Sequence, residues 1–272
     1  MTSQSDALKL AIAAHWQKEP CGTRGISRLD RRAFFSLMER QRYAYEPHIE
    51  RFAAFDEGRG KRILEIGVGA GSDFANWLRA GGRAIGIDMT DAAIQLTREH
   101  AEMDGLQAPL TRSDCEHLPF RTESFDIIYA YGVIHHSPDT RAAVNEIHRV
   151  LKPGGDAKVM IYHAPSIAGL MLWTLHCLLK LRPWKSPRWA VSNFLESPGT
   201  KVYTKAEARD LFASFARVDI ETVLGTGDLL LMEQSQKYRN PFASLIWRLY
   251  PRWLIRRIGT RFGLGLLIRA VK

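Results

Sequence analysis

The sequence predicts a doubly wound α/β fold built on a mostly parallel sheet, and three observations lead to this prediction. From residue 61 onward, short apolar runs rich in β-branched residues alternate with segments of helical periodicity, as in βαβ units. A glycine-rich loop directly follows the first of these runs, as in folds that bind ligands at the strand-to-helix turn. Five strand–helix steps then fit within about a hundred residues, which is the spacing of a doubly wound sheet.

The individual elements follow from these runs in chain order. Strands are expected at 62–66, 83–88, 109–112, 125–131 and 157–162, with helices at 73–80, 92–103 and 140–151 between them. The turn Lys152-Pro-Gly-Gly155 is expected to separate the last of these helices from the fifth strand. A helix at 204–215 and strands at 217–223 and 264–271 complete a seven-stranded sheet. The intervals 164–201 and 225–262 break the rhythm and are interpreted as insertions in a domain of residues 61–272, preceded by a helical lid at 1–60.

Composition limits the possible classes of protein. The chain has 272 residues, of which 46% are hydrophobic, so it can bury a substantial core. Its three cysteines form neither a disulfide framework nor a zinc pattern, which favours a cytoplasmic setting, and Cys21 has no neighbouring base that would make it a nucleophile. The N-terminus is not typical of an export signal, and no uncharged apolar run is long enough to cross a bilayer. The net charge of +9 fits either a basic soluble surface or an anionic partner.

The loop after the first strand carries the most specific pattern in the sequence. Gly67, Gly69 and Gly71 allow a tight turn in which a ligand lies against bare backbone. Ser72 stands where a dinucleotide-binding loop has its third packing glycine, which disfavours a pyrophosphate-bearing cofactor. Asp88 ends the second strand, where its carboxylate can accept hydrogen bonds from ribose hydroxyls. An ordinary turn, an NAD site and a helix-capping role for Asp88 remain alternatives.

Five motifs in order resemble the class I S-adenosylmethionine-dependent methyltransferase family, and in particular its small-molecule-modifying branch. They are Ile63-Leu-Glu-Ile-Gly-Val-Gly-Ala-Gly71, Gly86-Ile-Asp88, residues 114–120, Phe125-Asp-Ile-Ile-Tyr129 and Leu151-Lys-Pro-Gly-Gly155. The resemblance covers about residues 61–163 and the expected tail of the fold. It implies a Rossmann-like sheet, methyltransferase activity and S-adenosyl-L-methionine as the cofactor, with S-adenosyl-L-homocysteine as its product.

The resemblance also assigns roles to individual residues. It implies that the three loop glycines run beside the methionine part of the cofactor and that Asp88 holds the ribose. Asp114 and the backbone amide of Cys115 would meet the adenine, and Met89 would pack on its face. Tyr131 would lie near the sulfonium, and Glu65 matches the acidic position usual in the family.

A methyl group on sulfonium is already activated, so the protein must mainly align the reactants and exclude water. A base helps where the acceptor is a hydroxyl, and His135 and His136 follow the fourth strand at the edge where ligands gather. The alternative is a pair of loop histidines with structural partners. Tyr43 and Tyr45 are candidate lid residues, unless they only pack a helix on the core. No residues have convincing metal-ligand spacing, so metal independence is expected.

Both insertions are rich in large apolar residues, which predicts a hydrophobic acceptor. Trp173 lies in the first insertion, which is expected to roof the acceptor pocket. In residues 234–261 of the second insertion, arginines are interleaved with tryptophans and leucines and no acidic residue occurs between Gln234 and Arg261. This pattern fits peripheral contact with an anionic membrane, or an amphipathic helix folded over the sheet.

Two other functions remain open at this stage. Methylation of RNA or DNA would explain the basic charge. Against it, the fourth strand ends in Ala130-Tyr131-Gly132-Val133 and lacks the motifs of amine and cytosine-carbon methylation in nucleic acids. A noncatalytic cofactor-binding protein is the second alternative. The oligomeric state is not predicted.

Overall fold

The computed structural model describes residues 4–18, 20, 23, 30–231 and 248–272. Cys21 and residues 232–247 therefore lie outside the described residues. The helices are α1 (Gln4–Lys18), α2 (Arg31–Tyr45), α3 (His48–Ala53), α4 (Ser72–Arg79), α5 (Asp91–Met103), α6 (Thr140–Val150), α7 (Ile167–His176), α8 (Pro187–Phe194), α9 (Lys205–Leu211), α10 (Thr226–Leu229) and α11 (Arg252–Ile258). The strands are β1 (Arg62–Ile66), β2 (Arg83–Asp88), β3 (Leu110–Arg112), β4 (Phe125–Tyr131), β5 (Leu151–Tyr162), β6 (Arg217–Val223) and β7 (Gly265–Val271).

The strands form one seven-stranded sheet in the order β3-β2-β1-β4-β5-β7-β6. The first five are parallel, and β7 runs antiparallel to both β5 and β6. The predicted doubly wound, mostly parallel α/β fold is therefore confirmed. The strand order reverses between β1 and β4, and the crevice outside the carboxyl ends of these strands is the usual ligand site of such sheets.

Both faces of the sheet are covered by helices, which explains why the central strands read as continuous apolar runs. On one face, Val144 and Ile147 of α6 pack with Phe212 against β4 and β5. On the other face, Phe74 and Trp77 of α4 pack against β1 and β4. Buried side chains on both sides fix the register of the central strands and the position of their carboxyl ends.

Two predicted boundaries differ from the structure by more than one residue. β5 begins at Leu151 and includes residues 152–155, where a turn was expected. Its pairing with β4 shifts register between Phe125 and Ile127, so these residues form a bulge within the strand. The helix expected to reach Phe215 ends at Leu211, although it starts with a complete capping box between Thr204 and Glu207.

The predicted insertions contain helices. The interval 164–201 holds α7 and α8, and the described part of 225–262 holds α10 and α11. Among the residues that the structure describes, no helix is both long and apolar enough to cross a membrane. The division into a lid at 1–60 and a domain at 61–272 stays a prediction.

Candidate cofactor and acceptor site

The glycine loop after β1 is held tightly against the neighbouring elements. Gly67 has a φ of +77°, and a Cβ atom there would lie 2.2 Å from Cγ2 of Val133. Gly71 has a φ of +82°, and a Cβ atom there would lie 2.9 Å from Cα of Thr97 in α5. Only glycine combines these backbone angles with this close approach. The loop therefore presents bare backbone at the carboxyl end of β1.

Asp88 lies beside this loop and is joined to it. Its Oδ2 atom accepts a hydrogen bond of 3.3 Å from the Gly69 N–H. Its Oδ1 atom accepts from the Thr90 N–H at 2.9 Å and from the Thr90 hydroxyl at 2.8 Å. Thr90, and not Asp88, caps α5, because its hydroxyl accepts from the Ala93 N–H. Burial raises the pKa of Asp88, against the hydrogen bonds that favour its ionised form.

Asp114 follows β3 and is covered by α1. Its Oδ2 atom lies 2.6 Å from Nζ of Lys9, which also pairs with Glu116, and its Oδ1 atom accepts from the Glu116 N–H at 2.9 Å. Burial raises the pKa of Cys115 to about 12, so its thiol stays protonated and the residue could serve the site through its backbone. Met89 is half-buried next to Asp88.

Asp114, Glu116 and His117 form one group of potential metal ligands within the described residues. Lys9 already pairs with both carboxylates, and the group coincides with the expected adenine site. It gives no reason to assign a metal, and metal independence stays a prediction.

A buried acidic pair lies behind the glycine loop. Asp73, in the first turn of α4, accepts hydrogen bonds from Arg42, from Tyr43 at 2.9 Å and from Tyr129 at 2.8 Å. The Oε2 atom of buried Glu65 has no hydrogen-bond partner among the described residues. Burial, together with the charge of Asp73, raises the pKa of Glu65 well above its usual range. A cationic group bound beside Glu65 would relieve this cost.

Tyr131 ends β4 and faces two titratable residues at the start of α3. Its hydroxyl lies 2.7 Å from Nε2 of His48 and also interacts with the carboxyl of Glu46. Burial lowers the pKa of His48 to about 4, so this imidazole is neutral at pH 7. Burial raises the pKa of Glu46 to about 7. Arg42 lies over the Tyr131 ring at 5.2 Å from its centre.

The two predicted histidines have different surroundings. Nδ1 of His136 lies 2.8 Å from the Ser197 hydroxyl and 3.1 Å from that of Thr200. Its Nε2 atom lies 3.4 Å from Oε2 of Glu196, an ion-pair distance without hydrogen-bond geometry. The same Glu196 atom accepts a hydrogen bond of 2.9 Å from the Tyr162 hydroxyl.

His135 is fully buried, and neither of its ring nitrogens has a hydrogen-bond partner among the described residues. Its ring lies 4.0 Å from that of Tyr162 and 4.2 Å from that of His136, centre to centre. Burial lowers the pKa of His135 well below its usual range, so this imidazole is neutral at pH 7.

Two neighbouring cavities lie on the side of Tyr131 and Tyr162. The inner hollow is about 30 Å³ and is lined by both tyrosines, Glu46, His48 and Met160. The outer cavity is about 650 Å³, and half of its lining residues are aliphatic, while charged Lys205, Glu221 and Arg256 also line it. The two share His48 and Val223 in their linings, so they adjoin each other.

The predicted lid residues separate into different places. Tyr45 lines the outer cavity, whereas Tyr43 joins α2 to α4 through Asp73 and through Asn76 at 2.6 Å. Trp173 lines neither of these two cavities, because its indole N–H donates to the Lys185 carbonyl within the first insertion. Helix α1 also reaches this side of the molecule, because its Trp16 contacts the His136 ring at 5.4 Å between centres.

Sequence reasoning missed three residues of this site. Asp73 could have been found, because it follows Gly71 by two positions and so must lie at the loop. Arg42 and Glu196 carried no comparable signal, because they reach the site from the N-terminal segment and from the first insertion.

The comparisons with known proteins agree with this geometry. Residues 64–158 match a family model described as a methyltransferase domain. An uncharacterised protein of Mycobacterium tuberculosis is 32% identical over 124 residues, which cover 45% of each chain. A ubiquinone biosynthesis O-methyltransferase of Hahella chejuensis is 34% identical over 98 residues, which cover 36% of this chain and 41% of that protein. The matched region thus spans less than half the length of these relatives.

Among solved structures, the fold is similar to a chain from the complex of the Haloferax volcanii Trm112 methyltransferase activator with a candidate methyltransferase. The TM-score is 0.61 at 19% identity, and the likeness covers 96% of each chain. At this identity, the likeness supports the fold. The family match over 64–158 includes the glycine loop, Asp88 and Asp114, which the fold brings to the same edge of the sheet. Residues 64–158 therefore carry a methyltransferase domain, and their glycine loop and strand order are those of the class I S-adenosylmethionine-dependent fold.

Proposed function

We propose that the protein transfers a methyl group from S-adenosylmethionine to a small, apolar acceptor. The observation that carries this proposal is the joining of Asp88 to the glycine loop through the Gly69 N–H, with Asp114 at the next strand end. A loop without bulky side chains beside a ribose-binding carboxylate suits a nucleoside cofactor. The ubiquinone biosynthesis O-methyltransferase of Hahella chejuensis supports the same reaction class over 41% of its length.

The residues present fit this cofactor at several points. Gly67 and Gly71 let the loop pack closely against Val133 and Thr97, where a Cβ atom would collide, and the methionine part would lie beside this loop. The orphaned Oε2 atom of Glu65 marks a buried position that favours a cationic group such as an α-ammonium. Asp88 would accept from the ribose hydroxyls and Asp114 from the adenine amino group. When bound, the cofactor supplies an activated methyl group on a sulfonium.

The acceptor side is proposed to be the inner hollow and the outer cavity. The hollow has about the volume of one water molecule, so it suits the reacting group of the acceptor and not a whole molecule. The outer cavity suits the rest, and its walls include Ile220, Leu224 and Leu229. Tyr131 lines the hollow at the end of β4, where it would orient the reacting group and exclude water.

We propose that His136 acts as a positioning residue and does not contact the acceptor. Its contact with Glu196 fixes the carboxylate that accepts from Tyr162, and Tyr162 lines the hollow. His135 packs behind Tyr162 and would hold its ring in place. For an acceptor hydroxyl, Tyr162 and Glu196 would accept the proton that leaves on methylation. The proposal covers methylation of oxygen, nitrogen or carbon.

Replacing both His135 and His136 by alanine is expected to lower turnover more than cofactor affinity. His136→Gln is expected to restore part of the turnover, because glutamine keeps a polar contact to Glu196. Turnover is followed as S-adenosylhomocysteine release with an accepted substrate, and affinity by calorimetric titration. Unchanged turnover in the double variant would remove both histidines from the mechanism.

The first experiment tests the cofactor. Isothermal titration of the purified protein with S-adenosylmethionine, S-adenosylhomocysteine and NADH is expected to show micromolar binding of the first two alone. Binding of NADH alone, or of none of the three, would contradict the proposed site. Binding without turnover across an acceptor screen would favour the noncatalytic alternative. Methylation of RNA or DNA, the other alternative, predicts instead turnover with a nucleic-acid acceptor.

Peripheral contact with a membrane through 234–261, from a cytoplasmic location, also belongs to this proposal. Only 248–261 of that range lies within the described residues. Trp253 is 71% exposed and Arg256 and Arg257 are exposed beside it, as expected for an interfacial helix. The association is tested with the vesicles described below.

A further inference from the structure

Two separate segments expose large apolar side chains to an unusual degree. The first segment, residues 167–185, includes Leu181 at 82% and Trp184 at 75% exposure. The second segment, residues 248–262, includes Leu249 at 70% and Trp253 at 71% exposure. Exposed clusters of this kind mark interaction sites more often than ordinary surface.

Both segments are basic and contain no acidic residue. Between them they carry eight lysines and arginines, which are Lys180, Arg182, Lys185, Arg248, Arg252, Arg256, Arg257 and Arg261. These cations differ from Arg and Lys elsewhere on the chain, which frequently pair with carboxylates, as Arg79 does with Asp104. Leucine and tryptophan, mixed with cations that form no ion pair among the described residues, suit an anionic lipid surface.

Buried Asp228 holds the two segments next to each other. Its Oδ1 atom accepts from the Ala168 N–H at 2.9 Å, at the start of the first segment. Its backbone carbonyl accepts from the Tyr250 hydroxyl at 2.7 Å, in the second segment. The segments also approach directly, because a Cβ atom on Gly259 would lie 3.1 Å from Cδ1 of Ile167. We call residues 167–185 and 248–262 together the basic apolar face.

The outer cavity opens beside this face. Arg256 and Thr260 of the second segment line it, together with the aliphatic residues already described. At its other end, the cavity shares His48 and Val223 with the inner hollow at Tyr131. The outer cavity therefore adjoins both the basic apolar face and the hollow at the proposed site of methyl transfer.

We propose that the basic apolar face docks on an anionic phospholipid bilayer and that the outer cavity takes its acceptor from that bilayer. The acceptor is then a lipid-like molecule whose apolar chain occupies the outer cavity while its polar end reaches Tyr131. This inference rests on the proposed methyl transfer for the acceptor, whereas docking stands independently of it. An alternative occupant of the face is a second copy of this chain. The cations argue against that, because two identical basic faces would repel each other.

The docking test uses the full-length protein and two kinds of large unilamellar vesicle. One contains phosphatidylcholine alone, and the other contains phosphatidylcholine with about 30% phosphatidylglycerol. Co-sedimentation is expected with the anionic vesicles at low salt, with loss of binding as salt rises. A triple variant, Arg248→Gln, Arg257→Gln and Arg261→Gln, is expected to weaken partitioning on the order of 100-fold, since each cation near the surface contributes about fivefold. These three arginines are exposed.

The matched control changes three exposed arginines away from the face, with the same change in net charge. It carries Arg98→Gln, Arg121→Gln and Arg209→Gln, and it is expected to bind vesicles within about threefold of the unchanged protein. Equal loss in the control, or no binding of the unchanged protein to anionic vesicles, would overturn the docking proposal. So would sedimentation velocity without vesicles showing a dimer that the first triple variant dissociates.

The cavity is tested with a dansyl-labelled fatty acid as the probe. Saturable binding is expected, and Thr260→Trp should weaken it at least tenfold because exposed Thr260 can place an indole in the cavity without disturbing the core. S-adenosylhomocysteine binding should not change in this variant. Absence of saturable probe binding, or probe binding that Thr260→Trp leaves intact, would overturn the acceptor assignment. Intact cofactor binding in the same preparation separates this failure from failure of the methyltransferase proposal.

Discussion

Replacing Asp88 by alanine is the most direct test of the ribose assignment. The carboxylate has two duties in the structure, because it anchors Gly69 and Thr90 and is also proposed to accept from the ribose hydroxyls. Alanine removes both, so the losses of stability and of affinity have to be measured separately. Asp88→Asn keeps a side-chain oxygen for Thr90 but loses the charge and one acceptor.

The magnitudes follow from the hydrogen bonds that are lost. Two hydrogen bonds to a charged carboxylate contribute about 3–6 kcal/mol, so Asp88→Ala should weaken S-adenosylhomocysteine binding roughly 10²- to 10⁴-fold. Leaving the Thr90 and Gly69 donors without their acceptor should cost about 1–3 kcal/mol of unfolding free energy. A domain of ordinary stability, about 5–15 kcal/mol, still folds after that loss.

The assay is calorimetric titration with S-adenosylhomocysteine, paired with urea unfolding. Asp91→Ala is the control, because exposed Asp91 lies three positions along the chain, carries the same charge and pairs only with Arg112 among the described contacts. It should bind within about threefold of the unchanged protein. If Asp88→Ala and Asp88→Asn also bind within threefold while remaining folded, Asp88 does not hold the ribose.

Two further predictions concern Gly67 in the glycine loop and Glu46 beside Tyr131. Gly67→Ala should lower the unfolding free energy by about 2–5 kcal/mol in urea titrations, because its φ is +77° and Val133 is 2.2 Å from the new Cβ. Gly154→Ala, with a φ of +72° but open space, should cost only about 1–2 kcal/mol, and equal losses would refute the crowding explanation. Burial raises the pKa of Glu46 to about 7 from 4.5, so the folded protein retains a proton that the unfolded chain releases, and stability should fall as pH rises from about 4.5 to 7. Glu46→Gln should remove about 2 kcal/mol of this fall because the carboxyl is only partly buried, and an unchanged pH profile of unfolding would show that Glu46 titrates normally.

The sheet could be predicted because its information is local. The strands at 62–66, 83–88, 125–131 and 217–223 match the predicted bounds, since each is an apolar run ended by polar or glycine residues. The start of β5 was wrong because Pro153 and the glycines after it indicate a turn, and only pairing with β4 shows that the strand can absorb them. Short-range patterns do not report such pairing.

The candidate site was predictable in part for the same reason. Asp88 and Asp114 end strands, so their position at the sheet edge follows from the fold class once the strands are known. Arg42 and Glu196 act over long separations, since Arg42 reaches Asp73 across 31 residues and Glu196 reaches Tyr162 across 34. The burial that shifts Glu65, His48 and Glu46 likewise appears only after packing, so their protonation could not be inferred from the chain.

The cofactor half of the site, around the glycine loop and Asp88, and the proposed acceptor half, around the two cavities, are built from different parts of the chain. The cofactor half is built from the ends of β1, β2 and β3, so its residues cannot change without disturbing the sheet. The proposed acceptor half takes Glu196 from the first insertion and Arg256 from the second. Asp228 contacts the first insertion and the residue before β7, and Glu196 of the first insertion also bonds Tyr162 of β5. Exchange of these insertions should therefore alter which acceptor binds while cofactor affinity persists, because no residue of the glycine loop depends on them for its conformation.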